Sequence, residues 1–298
     1  MQLIRDYMRN DPLRRALDDL AEQTFGFRFE RWVKDGYFEG DYMPFSCEQD
    51  GRILANVSAN RMRFRQNGRD RLYIQLGTVM TDPAFRRQGL AASLMKTVLE
   101  EYEGRCDGIY LFGDLSALGF YKKLGFSMGL QYRYTLREEV RQQLRPLFPA
   151  RPEAVFQRIA PEDSPAIQRY REAVRQSAVQ SALEQVNKYG LQMFYTAGGQ
   201  NVFFCRELDC YAVMEPQGQE LCLKSIICRE KLPLEQILQR IPLPFDQLTL
   251  GFAPCGEDAA LFTASPFDGG EDYRFFFRGE PLKSIEQERL YFPELSHA

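Results

Sequence analysis

The 298-residue chain has a single histidine, at position 297, and a single tryptophan. Histidine is the side chain that titrates near neutrality without special help, so its scarcity removes the usual general base. Acid–base work must fall to carboxylates, tyrosine or water. The seven cysteines, at 47, 106, 205, 210, 222, 228 and 255, form no CxxC pair. With no histidines beside them, that excludes the common zinc spacings and predicts no bound metal. An odd, scattered set suits a reducing compartment and reads as small buried hydrophobes. No apolar run nears the ~18–20 residues that a spanning helix needs, and the N-terminal MQLIRDYMRN is charged where a leader peptide is apolar. These absences predict a cytoplasmic protein with no membrane partner. Residues 1–145 carry 23 Lys and Arg against 20 Asp and Glu, and the remainder 15 against 21. Neither half has the basic excess of a nucleic-acid binder, while the acidic second half suits a cationic partner.

What the chain does have is concentrated between Gly77 and Phe126. An apolar run through Val79 and Met80 predicts a buried strand, stopped by Thr81-Asp82-Pro83. The loop Arg86-Arg87-Gln88-Gly89 follows, and Leu90, Leu94, Met95, Val98 and Leu99 then recur at helical spacing. The free N–H groups of a helix's first turn, with the positive end of its dipole, form an anion site. Gly89 leaves no Cβ in the way of a docking group, and two arginines can fork onto phosphate oxygens. The bland alternative is an ordinary strand–loop–helix connection with a solvated arginine pair.

A second segment, GFYKKLGF, stands about 30 residues on. Together the two segments resemble the GNAT superfamily of acyl-CoA-dependent N-acyltransferases, whose pyrophosphate loop follows Arg/Gln-x-x-Gly-x-Gly/Ala. Arg86, Gly89 and Ala91 match that pattern, and Tyr121 with Gly125-Phe126 matches the family's tyrosine and Gly-Phe pair. The resemblance implies a GNAT fold, an α+β architecture with a mixed, mostly antiparallel sheet flanked by helices. It implies acetyl-CoA as cosubstrate, held by Val79, Met80, Thr81, Arg86, Arg87, Gln88, Gly89, Leu90 and Ala91, with Asp114 as a further contact to the cofactor arm. It also implies that the two strands around the pyrophosphate helix splay apart, with Tyr121 as general acid.

Along the rest of the chain, a first strand near Met1 to Tyr7 leads into a helix begun by Asp11-Pro12, then a short helix from Phe29 to Val33. Tyr37, Phe38, Glu39, Asp41 and Tyr42 form an aromatic and acidic loop cluster that suits a cationic amine, or simply packs. A hairpin turns at Asp50-Gly51. Arg61, Arg63 and Arg65 share one strand face, which is expected to be a solvated edge. After a linker at 138–152, rich in proline, the order strand, helix, three strands, helix, strand recurs in 153–298. A second, degenerate GNAT-like domain is therefore expected behind the first, at 1–137, the alternative being an unrelated α+β domain. Its counterpart loop, Arg229-Glu230-Lys231-Leu232-Pro233-Leu234, lacks the glycine, so the cofactor belongs to the first half.

Acetyl transfer to an amine needs a neutral nucleophile, a stabilised oxyanion and a protonated leaving thiolate. Proton donation from a tyrosine of pKa about 10 to a thiolate of about 8.5 is uphill by roughly 2 kcal/mol, which burial of the thiolate offsets. Glu39, Asp41, Asp114 or a water relay could serve as base. The reading is an N-acetyltransferase acting on a primary amine of a small molecule: an amino acid, a polyamine or an aminoglycoside-like compound. Alternatives are a protein lysine or N-terminal acetyltransferase and a non-catalytic acyl-CoA sensor. The second half would shape the acceptor pocket or form a homodimer surface.

Overall fold

A computed structural model describes residues 1–144, 152–160, 163–199 and 201–298. In chain order its elements are β1 (Gln2–Arg5), α1 (Asp11–Phe25), α2 (Glu30–Lys34), β2 (Tyr42–Gln49), β3 (Arg52–Gln66), β4 (Arg69–Thr81), α3 (Leu90–Tyr102), β5 (Gly108–Gly113), α4 (Leu118–Lys123), β6 (Ser127–Gly129), β7 (Gln131–Leu136) and α5 (Glu138–Gln143). They continue with β8 (Gln157–Arg158), α6 (Ser164–Arg175), β9 (Leu183–Gln185), α7 (Tyr189–Thr196), β10 (Val202–Cys205), β11 (Cys210–Gln217), β12 (Glu220–Ile227), α8 (Leu234–Leu238), β13 (Gln247–Leu250), β14 (Phe262–Phe267), β15 (Arg274–Arg278) and α9 (Ser284–Gln287).

Local chemistry sets the element ends. Asn10 accepts the Leu13 N–H and Pro12 sits in the first turn of α1, while Gly26 closes it at φ 77°, a left-handed position that glycine takes without steric cost. The buried stripe of Leu17, Leu20 and Ala21 docks that helix.

The described residues form two mixed sheets flanked by helices. The first runs β1-β2-β3-β4-β5-β15-β6, with β9 added beside β3; the second runs β14-β7-β13-β12-β11-β10-β8. Each contains an antiparallel meander, a crossover helix (α3 or α8) and a parallel strand pair, β4 with β5 and β12 with β13. This is the GNAT architecture twice over.

The halves are not independent, however. β15 inserts between β5 and β6, and β7 inserts between β13 and β14. Each half therefore donates one strand to the other across the segment 138–152. The chemistry explains β15: Phe275, Phe276 and Phe277 are all buried, so both faces of the strand need cover, which an interior sheet position supplies. Phe64, Tyr73 and Tyr110 of the first half share one core with Leu223, Leu250 and Phe292 of the second. Of the expected linker, residues 138–143 are helix α5, and 145–151 lie outside the described residues.

One local expectation needs correction. The Arg61, Arg63 and Arg65 segment is not a bare edge, because β9 pairs with Phe64 to Gln66. Arg61 donates to the Gly40 carbonyl and Arg65 pairs with Asp70. Of the expected aromatic cluster, Tyr37, Phe38 and Tyr42 pack as one of the two readings has it: all are buried, and Tyr42 begins β2.

Candidate active site

Strand β4 pairs with β5 only at Tyr73, Ile74 and Gln75, opposite Gly108, Ile109 and Tyr110. Beyond that point the two strands part. Over the parted stretch β4 also bulges: Ser58 faces Gly77 and Asn56 faces Met80, so Thr78 and Val79 together oppose Val57. Thr78 has φ 40°, a left-handed value that a β-branched residue adopts only when its surroundings enforce it.

Those surroundings are explicit. The Tyr42 hydroxyl lies 2.7 Å from Thr78 Oγ1, which in turn donates to Ser58 Oγ at 2.9 Å. Asn56 Nδ2 donates to the Thr78 carbonyl at 2.9 Å and to its Oγ1 at 3.2 Å. Behind them Ser46 donates to Asn56 Oδ1 at 2.8 Å and meets the Tyr7 hydroxyl. Ser46, Asn56 and Ser58 are wholly buried. Burial pushes the Tyr42 and Tyr7 hydroxyls well above the ordinary tyrosine range, so both stay protonated donors. A sequence signal for this network exists: Asn56, Ser58 and Asn60 alternate with Val57 and Ala59, a polar face on a strand whose other face is apolar.

Downstream, Asp82 caps the turn after β4, accepting the Ala84 N–H at 2.9 Å and pairing with Arg52. The loop then turns through two left-handed residues, Arg87 at φ 64° and Gly89 at φ 80°. Arg86, Arg87, Gln88 and Gly89 are exposed to differing degrees, Ala91 is half-buried, and Leu90 anchors the helix in the core with Leu94, Met95 and Val98. Gly89 is the N-cap of α3, and no side chain caps the first turn. A Cβ on Gly89 would meet nothing within 4 Å, so the space over these amides is open. Left-handed residues before a helix turn N–H groups toward a common point, and the loop fits a phosphate group. Val79 and Thr81 are half-buried and Met80 is buried, placing the strand end between loop and bulge.

Tyr121 stands on α4, with its ring against Gly113 at the end of β5. Its carbonyl accepts the N–H groups of Leu124 and Phe126, a turn that Gly125 permits at φ 82°. Its ring packs on Phe276 of the inserted strand β15 with centroids 4.8 Å apart. Burial, and secondarily the Asp114 charge, raises its pKa. Asp114 itself is exposed and accepts the Ser116 N–H at 2.6 Å, and its hydrogen bonding with Ser116 lowers its carboxyl. It caps the turn that carries α4 into place.

The two other carboxylates raised as bases already hold partners. Glu39 pairs with Arg175 at 2.5 Å, and Asp41 accepts from Asn187 at 2.9 Å. Burial raises the Asp41 carboxyl. The last wall has no signature in the sequence. The segment 297–298 returns along the β4 side opposite Tyr121, where the Ala298 N–H donates to Gln75 at 3.2 Å and His297 stacks on Phe112 at 4.2 Å. A Cβ on Gly77 would come within 2.3 Å of the Ala298 carbonyl oxygen. Glycine is required there for close approach, not for backbone freedom.

Residues 4–126 match the sequence model of the Acetyltransferase (GNAT) family. Among solved structures, 95% of the chain is similar to 72% of a GCN5-related N-acetyltransferase from Kribbella flavida, at 16% identity and TM-score 0.55. Similarly, 92% of it matches 73% of Eis1 from Mycobacterium abscessus at 14% identity and TM-score 0.55. A probable N-acyltransferase of unknown function from Enterococcus faecalis V583 is matched over 95% of this chain and 74% of that one, at 11% identity and TM-score 0.53. At such identities the likeness is one of fold, and it runs through both halves. No curated protein matches the sequence.

Proposed function

We propose that this chain, which carries a GNAT-family acetyltransferase domain over residues 4–126, transfers an acetyl group from acetyl-CoA to a primary amine of a small molecule. The observation that carries the reading is the conjunction of an open, uncapped helix start at Gly89, a bulged β4 parted from β5, and the Tyr121 phenol against Gly113 at the end of β5. Acetyl-CoA, when bound, supplies the activated thioester. The first-turn amides of Leu90 and Ala91 with Arg86 and Arg87 would hold its pyrophosphate, and the backbone from Val79 to Thr81 would line its arm. The bulge at Thr78 and Val79 offers backbone N–H groups to a developing oxyanion.

In the transfer a C–N bond forms and the C–S bond breaks; the amine gives up a proton to water, and the thiolate takes one. Tyr121 supplies the latter. Its pKa, raised above the ordinary value, keeps the proton on the phenol through neutral pH, ready for a buried thiolate that is costlier still. The acceptor nitrogen approaches from the side that the second half covers, the face of β4 on which Gly77 and Gln75 lie.

A calorimetric titration with acetyl-CoA tests this reading. Wild-type protein should bind it, and Gly89→Glu should not, because the substitution strains a left-handed position and puts a carboxylate where phosphate belongs. Tyr121→Phe should retain binding and lose turnover in an amine screen. Absence of binding in wild type would remove the reading, and binding without turnover of any amine would leave an acyl-CoA sensor in its place.

A further inference from the structure

Among the described residues four acidic side chains are buried: Asp18, Glu48, Asp82 and Glu184. Three of them have both oxygens bonded. Glu48 accepts from Gln2 and the Gly51 N–H, Asp82 from Arg52 and the Ala84 N–H, and Glu184 from Lys188 and Ser181. Asp18 differs. It is 0% exposed, its Oδ1 accepts the Phe29 N–H at 2.6 Å, and its Oδ2 has no hydrogen-bond partner. A buried carboxylate oxygen left unfilled is costly.

Its counter-charge lies one turn back on α1. Arg14 is 1% exposed. Its Nη1 donates to the Met8 carbonyl at 3.2 Å and to Asp11 at 2.6 Å, while Nε and Nη2 are buried without partners. Residues four apart share a helix face, with Cβ atoms about 5–6 Å apart, and helical side chains lean toward the N-terminus. Arg14 therefore reaches away toward the start of α1, and Asp18 leans into the space it leaves. Arg14 pairs with Asp11, and its nitrogens lie more than 4.0 Å from the Asp18 carboxylate. The two charges still act on one another: burial raises the Asp18 carboxyl, and the Phe29 N–H, Arg28 and Arg14 oppose that rise.

Two N–H donors and one carboxylate oxygen, too far apart to touch, are the bonding complement of water, which accepts from one side and donates to the other. A buried water typically makes about three such bonds. An ion fits less well, because a cation would meet Arg14 and an anion Asp18. We propose that Arg14 and Asp18 hold a buried water between them, and that this bridged pair fixes the corner between α1 and α2. The corner bears on the bulge of β4. Asp18 holds the Phe29 N–H at the start of α2, the Phe29 ring packs on Tyr42 with centroids 4.8 Å apart, and Tyr42 is bonded to Thr78. The carboxylate thus faces two ways, one oxygen to water and the other to the residues behind the bulge.

A high-resolution crystal structure of the full chain tests the bridge. Density should stand within hydrogen-bond distance of Asp18 Oδ2 and of Arg14 Nε or Nη2. A direct ion pair between the two side chains, or a gap closed by other atoms, would overturn the assignment. So would a halide in that place, revealed by anomalous signal after a bromide soak. In solution, Asp18→Leu and Arg14→Met each leave one buried charge uncompensated and should lower the melting temperature by about 5–15 °C. The double variant should lose less than either single one; losses that simply add would show two independent residues. Trp32, the single tryptophan, stands on α2 with its ring 6.2 Å from that of Phe29, so its fluorescence reports on the corner. Both single variants should shift its emission well below the unfolding temperature, and Arg14→Met alone serves if Asp18→Leu does not fold. Wild-type emission from a folded variant would overturn the link to α2.

Discussion

The Tyr121 hydroxyl lies 3.2 Å from the point where a Cβ on Gly113 would stand, and the ring's Cε2 lies 2.9 Å from it. Gly113 ends β5, and its missing side chain is what leaves room for the phenol there. A methyl group there must push the ring aside, because Phe276 blocks retreat from the other side. Gly113→Ala should lower kcat about ten- to a hundredfold, the range for misplacing a reacting group by about 1 Å. Acetyl-CoA affinity should stay within about threefold. Unchanged turnover would show that the position of Tyr121 is immaterial to the chemistry.

Asn56 is the second point of leverage. It is wholly buried and holds the Thr78 carbonyl and hydroxyl while accepting from Ser46. Asn56→Leu removes the amide and leaves those partners unmatched, at a cost of about 2–4 kcal/mol. Urea titration should show that loss. Thr78 would also be free to leave its left-handed conformation, so kcat/KM should fall more than the remaining folded fraction explains. Variants that lose stability alone would assign the network a purely structural part.

Much of this architecture is legible in the residues themselves. The strands from Phe45 to Met80, the helix from Leu90 and the strand from Ile109 follow from apolar period and turn residues, and the loop at Arg86 to Ala91 from its glycine and arginines. The alternation of Asn56, Ser58 and Asn60 is a weaker signal, because polar residues on a strand face usually mean solvent. The place of β15 has no local signal at all. Phe275-Phe276-Phe277 announces a strand buried on both faces, yet nothing nearby says which sheet it enters. Gly77 and Gly113 are plain strand glycines in sequence, and their role is defined by residues 221 and 8 positions away, Ala298 and Tyr121.

The pH behaviour should carry the mark of His297. Burial, and then the charge of Lys224, lowers its pKa from 6.5 to about 4. The unfolded chain takes up a proton below pH 6.5 that the folded chain refuses until about 4. The stabilisation is complete above 6.5, declines as pH falls through that window, and is level below it; the full loss is about 3–4 kcal/mol. The melting temperature of wild type should fall more steeply than that of His297→Gln between pH 6.5 and 4.5. Parallel curves would mean that the folded protein protonates the imidazole freely.

The strand exchange predicts a dependence between halves. Residues 1–144 expressed alone should give an aggregating product, since the edge of β5 lacks β15. Co-expression with residues 152–298 should recover a soluble complex that binds acetyl-CoA. A soluble, cofactor-binding 1–144 fragment would show that β15 is dispensable.

The same exchange sets a schedule for the ribosome. The loop from Arg86 to Ala91 and Tyr121 have been synthesised by position 121, yet the sheet that holds them closes only when 274–278 emerge. With synthesis at about 5–20 residues per second, roughly ten to thirty seconds separate the making of the motif from the completion of its frame. Non-local pairing of this kind slows folding and leaves β5 open for that interval. It also makes the frame conditional on reading the message through: a product that stops before Arg274 carries the loop at Arg86 to Ala91 and Tyr121 and cannot close the sheet around them.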